Sequence, residues 1–324
     1  MYKRQILEAE EKARRDRARQ VAAEIVGKGK VALDSLRLEP LAGMTNRNYL
    51  ITVDGARYVV RIPGDGTEEY VDRKADEQAS RLVEEVGVGV PLVHYDAAKG
   101  IQITQYIEGS RDMRAPGLLD DMDAVRRAGK VFHKLHTCGR KFVNEFDEKN
   151  VAQEYLDVLS SKNAPLPEGY EEAQKNAESI RKVLRDTCKE RVACHNDPAP
   201  ENLLDDGKRA YIIDWEFAGN NDPFWDLGDF SVEAAFTPEQ DAVFLEAYCG
   251  RTPTEPETAR LQLQKSLVFL LWTLWGVLQH VNKNPRPAYD FADYWEYAMH
   301  RFTNSQAIMK RPDFAQMVEI VRTS

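Results

Sequence analysis

The chain has 324 residues, 43% of them apolar and 30% charged, which is enough to bury a sizeable core in two domains or one large two-lobed unit. A net charge of -9 argues against a general nucleic-acid binder, which needs a basic footprint. The four cysteines (Cys138, Cys188, Cys194, Cys249) form no C-x-x-C pair, so neither a zinc site nor a disulfide framework is expected. That usage fits a reducing cytoplasm. The N-terminus leads into a charged run rather than a secretory leader. The longest apolar stretch, the 12 residues from Leu267 to Leu278, is too short to span a bilayer. A cytoplasmic protein with no membrane insertion is expected, and a homodimer stays open.

Residues 1–28 read as a helix of mixed charge whose apolar positions thicken toward its end. Two strands follow, Asn48–Val53 and Arg57–Ile62, with Asp54-Gly55 between them as a hairpin turn. Helical periodicity runs from Tyr70 to Val86 and stops at Gly87. Leu92–Tyr95 and Ile101–Ile107 read as two further strands. From Gly109 the pattern turns helical: 118–137, 151–160, 169–187, then 223–235, 238–248, 257–281, 289–310 and 312–321. The expected fold is therefore α+β with two lobes: an N-terminal helical extension (1–30), a small antiparallel-sheet lobe (31–108) and a larger helical lobe (109–324). Clefts between such units are common ligand sites.

Between the helical runs lies Cys194-His195-Asn196-Asp197-Pro198-Ala199-Pro200-Glu201-Asn202, followed by the strand-like Tyr211-Ile212-Ile213-Asp214-Trp215-Glu216. The order matches the H-R-D-x-x-x-x-N of protein kinases and their later metal-binding Asp. Asp197 is the candidate base for a substrate hydroxyl. Asn202 and Asp214 offer the hard oxygen donors that Mg²⁺ prefers. His195 reads as an orienter of this loop, and Asp226 as its backbone anchor. His133 and His136 lie three apart on a helix with no third ligand spaced to join them, and read as structural.

Taken together, these motifs resemble the choline/ethanolamine kinase and aminoglycoside phosphotransferase superfamily, over roughly residues 35 to 305, and its bacterial choline kinase-like branch most closely. The resemblance implies a protein-kinase-like fold, ATP and Mg²⁺ as cofactors, and a small amino alcohol, choline first, as phosphoryl acceptor. It implies a nucleotide loop at Leu41–Tyr49, a phosphate-binding strand at Tyr58–Gly64 with Arg61 where protein kinases carry Lys, and a hinge at Gln105-Tyr106-Ile107. Glu77 is implied as the partner of Arg61, with Asp76 as the alternative register. On residue chemistry alone, Gly43, Thr45 and Asn46 form either a phosphate cradle or an ordinary turn.

The acceptor side rests on aromatics. Trp272 and Trp275 are three apart and share a helix face, which suits either an apolar core or the ring faces that a quaternary ammonium needs. The resemblance adds Tyr297 as a third face and Glu233 as a nearby charge, and puts Phe291 one residue out of register for a further ring. Ethanolamine is the alternative acceptor. An aminoglycoside or thiamine would keep the ATP residues and change the acceptor lobe. A regulatory ATP-binding pseudokinase is disfavoured because Asp197, Asn202 and Asp214 are all present.

Overall fold

The computed structural model describes residues 2–41, 46–64, 71–284 and 291–324. The chain divides into two compact units, Met1–Arg111 with Leu204–Ala218, and Asp112–Leu203 with Gly219–Ser324.

The first unit opens with helix α1 (Tyr2–Ile25) and continues through β1 (Leu38–Leu41), β2 (Arg47–Val53), β3 (Ala56–Ile62), α2 (Arg73–Val86), β4 (Leu92–Asp96) and β5 (Ile101–Gln105). The strands form one antiparallel sheet in the order β1-β2-β3-β5-β4. Asp54 and Gly55 both take positive φ, 50° and 81°, so their twist matches that of the strands they join. Ala18, Val21 and Ala22 of α1 share a core with Ile51, Val53 and Val60, so the second half of the N-terminal helix is part of the unit's packing. Helix α2 begins where the Asp72 carboxylate accepts from the N–H groups of Lys74 and Ala75, and ends at Gly87 with φ 72°.

The second unit is built from α3 (Met122–His136), α4 (Glu148–Ser161), α5 (Tyr170–Thr187), α6 (Pro223–Glu233), α7 (Pro238–Cys249), α8 (Glu255–Val281), α9 (Tyr294–Met309) and α10 (Phe314–Arg322). Short strands punctuate the chain: β6 (Arg111–Asp112), β7 (Val192–Cys194), β8 (Leu203–Asp205), β9 (Ala210–Ile212) and β10 (Gly219–Asn221), with β7 antiparallel to β10. Capping boxes start α7 (Thr237 with Gln240) and α8 (Thr254 with Glu257). Helix α8 is long and apolar enough to cross a membrane, but 83% of its apolar window is buried within the fold, against α4, α5, α6, α9 and α10.

One assignment differs from the sequence reading. Residues 204–218 were expected in the helical lobe but belong to the sheet unit, because the Ile212 N–H donates to the Val88 carbonyl (2.8 Å) and Gly89 bridges Ile212 in parallel. Periodicity cannot report a three-residue strand that pairs so far along the chain.

Close helix packing sets the positions of several side chains that matter below. A Cβ at Gly228 would lie 3.0 Å from Gln264 Cβ, so its absence lets α6 approach α8. At Gly276 a Cβ would lie 2.7 Å from the Tyr297 ring and 3.0 Å from Ala298 Cβ, where α8 meets α9. Overpacking of this kind costs about 1–3 kcal/mol. Gly276→Val is expected to lower stability on that scale in chemical denaturation, and unchanged stability would show that α9 can step away from α8 freely.

Candidate functional site

In the first unit, β3 carries Arg61 into the interior, where it pairs with Asp76 on α2 and, through Nη1, with Asp214 Oδ1 at 3.0 Å. Asp76 also accepts from the Tyr95 hydroxyl at 2.6 Å. Burial works against the Arg61 charge, but Asp76 and Asp214 more than offset it, so the guanidinium is held even more firmly charged than usual. Asp214 sits at φ 66°, a left-handed conformation uncommon for a side-chain-bearing residue. Two residues on, the Glu216 carboxylate accepts from Asn46 Nδ2 at 3.3 Å. Desolvation and the neighbouring Asp214 charge push Glu216 up to about 7.

The partner of Arg61 is therefore Asp76, not Glu77. Glu77 lies one residue further around α2 and pairs with Arg81 at 2.7 Å on the exposed side. A helix turns about 100° per residue, so adjacent acids cannot both reach the strand. Gly43 and Thr45 lie outside the described residues. At the hinge, the Gln105 N–H donates to the Pro91 carbonyl (2.9 Å) and the Tyr106 N–H to the Arg57 carbonyl (3.0 Å).

In the second unit the catalytic loop is held from below by α6. One Asp226 carboxylate accepts from the His195 N–H (2.7 Å) and the Asn196 N–H (2.8 Å), and the His136 ring lies 3.1 Å from it. The other His136 nitrogen faces the Tyr248 hydroxyl at 3.2 Å. His136, Cys194 and Asp226 are close enough to hold a metal, but these hydrogen bonds already occupy both ring nitrogens and both carboxylate oxygens. Asn196 is held at φ 71°, its side-chain amide donating to the Cys194 and Gly219 carbonyls. Asp197 follows, half-buried, its N–H donating to His195 Nδ1 at 3.3 Å. His195 is fully buried and acts on the loop's shape. Asn202 donates its amide to the Asp197 carbonyl (3.1 Å), which leaves the amide oxygen as its donor to a cation.

The acceptor-side residues also converge within this unit. The Trp275 ring meets Tyr297 at 5.5 Å and Trp272 at 6.4 Å. Trp272 belongs to the core, whereas Trp275 is only half-buried. Phe291 stacks edge-on against Tyr297 at 5.4 Å despite its offset in sequence. Glu233 is buried and bound to Arg301 (2.9 Å), whose guanidinium lies 4.6 Å from the Tyr297 ring centroid. Burial pushes the Glu233 carboxyl up, with Arg301 working against the shift. The Glu233 carbonyl accepts from Arg114, which also pairs with Glu201 of the catalytic loop at 3.0 Å.

Three site residues escaped the sequence reading. Tyr294 joins the cluster, 5.6 Å from Trp275, and its spacing of three from Tyr297 on α9 was the available signal. Asp229 lies three residues after Asp226 and four before Glu233, completing an acidic face along α6. Its Oδ1 accepts the Trp272 indole N–H at 2.8 Å, and burial drives its carboxyl well above the usual range, with Glu233 and Asp197 adding to the shift. Arg114 had no sequence signal at all.

The difference between Asp76 and Glu77 is measurable. Asp76→Ala removes the buried partner of Arg61, leaving Asp214 alone against its charge, and is expected to cost about 3 kcal/mol. Glu77→Ala, at an exposed pair, should change stability by about 0.5 kcal/mol or less. Equal losses in denaturant titrations would contradict the pairing.

Residues 37–262 match the family model described as phosphotransferase enzyme family. A choline/ethanolamine kinase family protein from Mesorhizobium loti is 36% identical, with 95% of this chain and 99% of that one covered at a TM-score of 0.80. The choline kinase LicA from Streptococcus pneumoniae is 27% identical, covering 85% of this chain and 93% of its own at a TM-score of 0.68. The protein LicA of Haemophilus influenzae is 28% identical over 74% of this chain and 73% of its own length. The fold is thus the two-lobed, protein-kinase-like α+β architecture, and nucleotide binding and phosphoryl transfer from ATP to an alcohol follow from it. The chain belongs to the phosphotransferase enzyme family, in its choline kinase-like branch.

Proposed function

We propose that the protein transfers the γ-phosphoryl group of ATP to the hydroxyl of choline. The observation that carries this reading is the cluster of Trp275, Tyr294 and Tyr297 with Trp272 behind it, beside the buried acids of α6 and in the same unit as Asp197. A quaternary ammonium offers no N–H to donate, so ring faces and nearby negative charge are what bind it. An aminoglycoside would need an open acidic surface instead.

The roles follow from the geometry. Arg61, fixed by Asp76, presents a charged guanidinium to nucleotide phosphates, and its buried Nε has no acceptor among the described residues. Asp197 takes the proton of the acceptor hydroxyl as its oxygen bonds to the γ-phosphorus and the bond to the β-phosphate oxygen breaks. His195 and Asp226 hold Asp197 in place through the loop backbone. Asp214 in one unit and the Asn202 amide oxygen in the other each offer the hard oxygen donor that Mg²⁺ prefers, and these residues would hold the ion. When bound, the ion neutralises charge on the β- and γ-phosphates.

Offered choline, ethanolamine, thiamine and an aminoglycoside in turn, the purified protein should consume ATP fastest with choline. A faster rate with any other acceptor would overturn the assignment. Asp197→Ala should lower kcat by about 100-fold or more, the scale of a general base. Full activity in that variant would remove Asp197 from the chemistry. Trp275→Ala should raise KM for choline by about tenfold while leaving KM for ATP unchanged, as loss of a cation–π face predicts. Equal rises in both constants would return Trp275 to a packing role.

A further inference from the structure

The sequence assigned the acceptor's counter-charge to Glu233, but Glu233 already has a cation. Arg301 pairs with it inside the fold, both side chains less than a tenth exposed. A carboxylate neutralised in this way attracts a further cation weakly, because the pair presents a dipole rather than a charge. One turn earlier on the same face of α6, Asp229 differs in having no such cation. It is fully buried, and among the described residues no Lys or Arg pairs with it and its Oδ2 has no hydrogen-bond partner. An orphaned carboxylate oxygen in the interior is costly, and such groups call for a functional account. Its other oxygen accepts from Trp272, whose ring meets that of Trp275.

We propose that Asp229 is the positioning residue that sets the preference for a cationic acceptor, acting through Trp272. The indole N–H to carboxylate bond fixes the ring and draws negative charge toward it, which strengthens the attraction of its π-face for a quaternary ammonium. The surroundings of Asp229 are otherwise negative: Glu233, Asp197 and Asp226 all raise the energy of its ionised form. A cation arriving at the aromatic cluster reverses that balance and favours the carboxylate. Arg301 then serves a different purpose, keeping Glu233 from competing and supporting the Tyr297 ring. This inference rests on choline, or another quaternary ammonium alcohol, being the acceptor.

The test compares kcat/KM for choline with that for its uncharged carbon isostere, in which a tert-butyl group replaces the trimethylammonium. Asp229→Asn keeps an oxygen for the Trp272 N–H and removes only the charge. It should lose about tenfold or more of the wild-type preference for choline over the isostere, with KM for ATP unchanged. Trp272→Phe keeps a ring and cuts the link to Asp229, so it should shift the preference in the same direction and serves if the first variant folds poorly. Either folded variant retaining the full preference would overturn the inference while leaving the proposed function intact. Wild-type protein that turns over neither compound would instead contradict the proposed function, and the inference with it.

Discussion

The Asp226 carboxylate is the contact on which the catalytic unit depends. Two backbone N–H groups of the loop, those of His195 and Asn196, point at one side chain on α6, and His136 of α3 supports it from the other side. Hydrogen bonds to a charged acceptor are roughly twice as strong as neutral ones, and here they offset the strain of a left-handed Asn196. The indole N–H of Trp225, on the same helix, donates to the Asn196 carbonyl at 3.2 Å and completes the clamp. Asp197 thus acquires its direction from the loop backbone and the α6 side chains that hold it. Helix α6 is in turn fixed at its start by Asp222, which caps it and pairs with the buried Arg260 of α8.

The same helix organises the acceptor side. Its acidic face runs from Asp226 to Asp229 to Glu233, and each acid has a different partner: the loop backbone, an indole N–H, and a guanidinium. Burial raises the energy of every charge along this face, so each position's chemistry is set by what sits opposite it rather than by residue type. The sheet unit follows a parallel rule. There the buried Arg61 pairs with Asp76 and Asp214, Arg73 lies 4.0 Å from Asp76, and desolvation with the Asp214 charge pushes Glu216 up to about 7.

Much of this was legible in the sequence because the signals were local. Asp197, Asn202 and Asp214 stand at spacings set by a loop and a short strand, and the Asp54-Gly55 turn dictates its own hairpin. The long helices announced themselves by period, and α5 and α8 start within two residues of where the apolar pattern begins. What stayed hidden depended on rotation and on distant pairing. Asp76 and Glu77 are chemically equivalent in a sequence, and only the angle of α2 over β3 separates a buried partner of Arg61 from a surface one. Glu233 pairs with Arg301, 68 residues further on, a pairing no spacing rule reports. Asp229 went unseen because an acid beside another acid reads as a solvated face until its burial is known.

The proposed transfer of the γ-phosphoryl group to the hydroxyl of choline is tested most directly by following the phosphoryl group itself. With ATP labelled in the γ-phosphoryl group, Mg²⁺ and choline, the account predicts that the label appears in phosphocholine, one for each ADP formed. Label recovered only as inorganic phosphate, or left in ATP while choline is in excess, would contradict it.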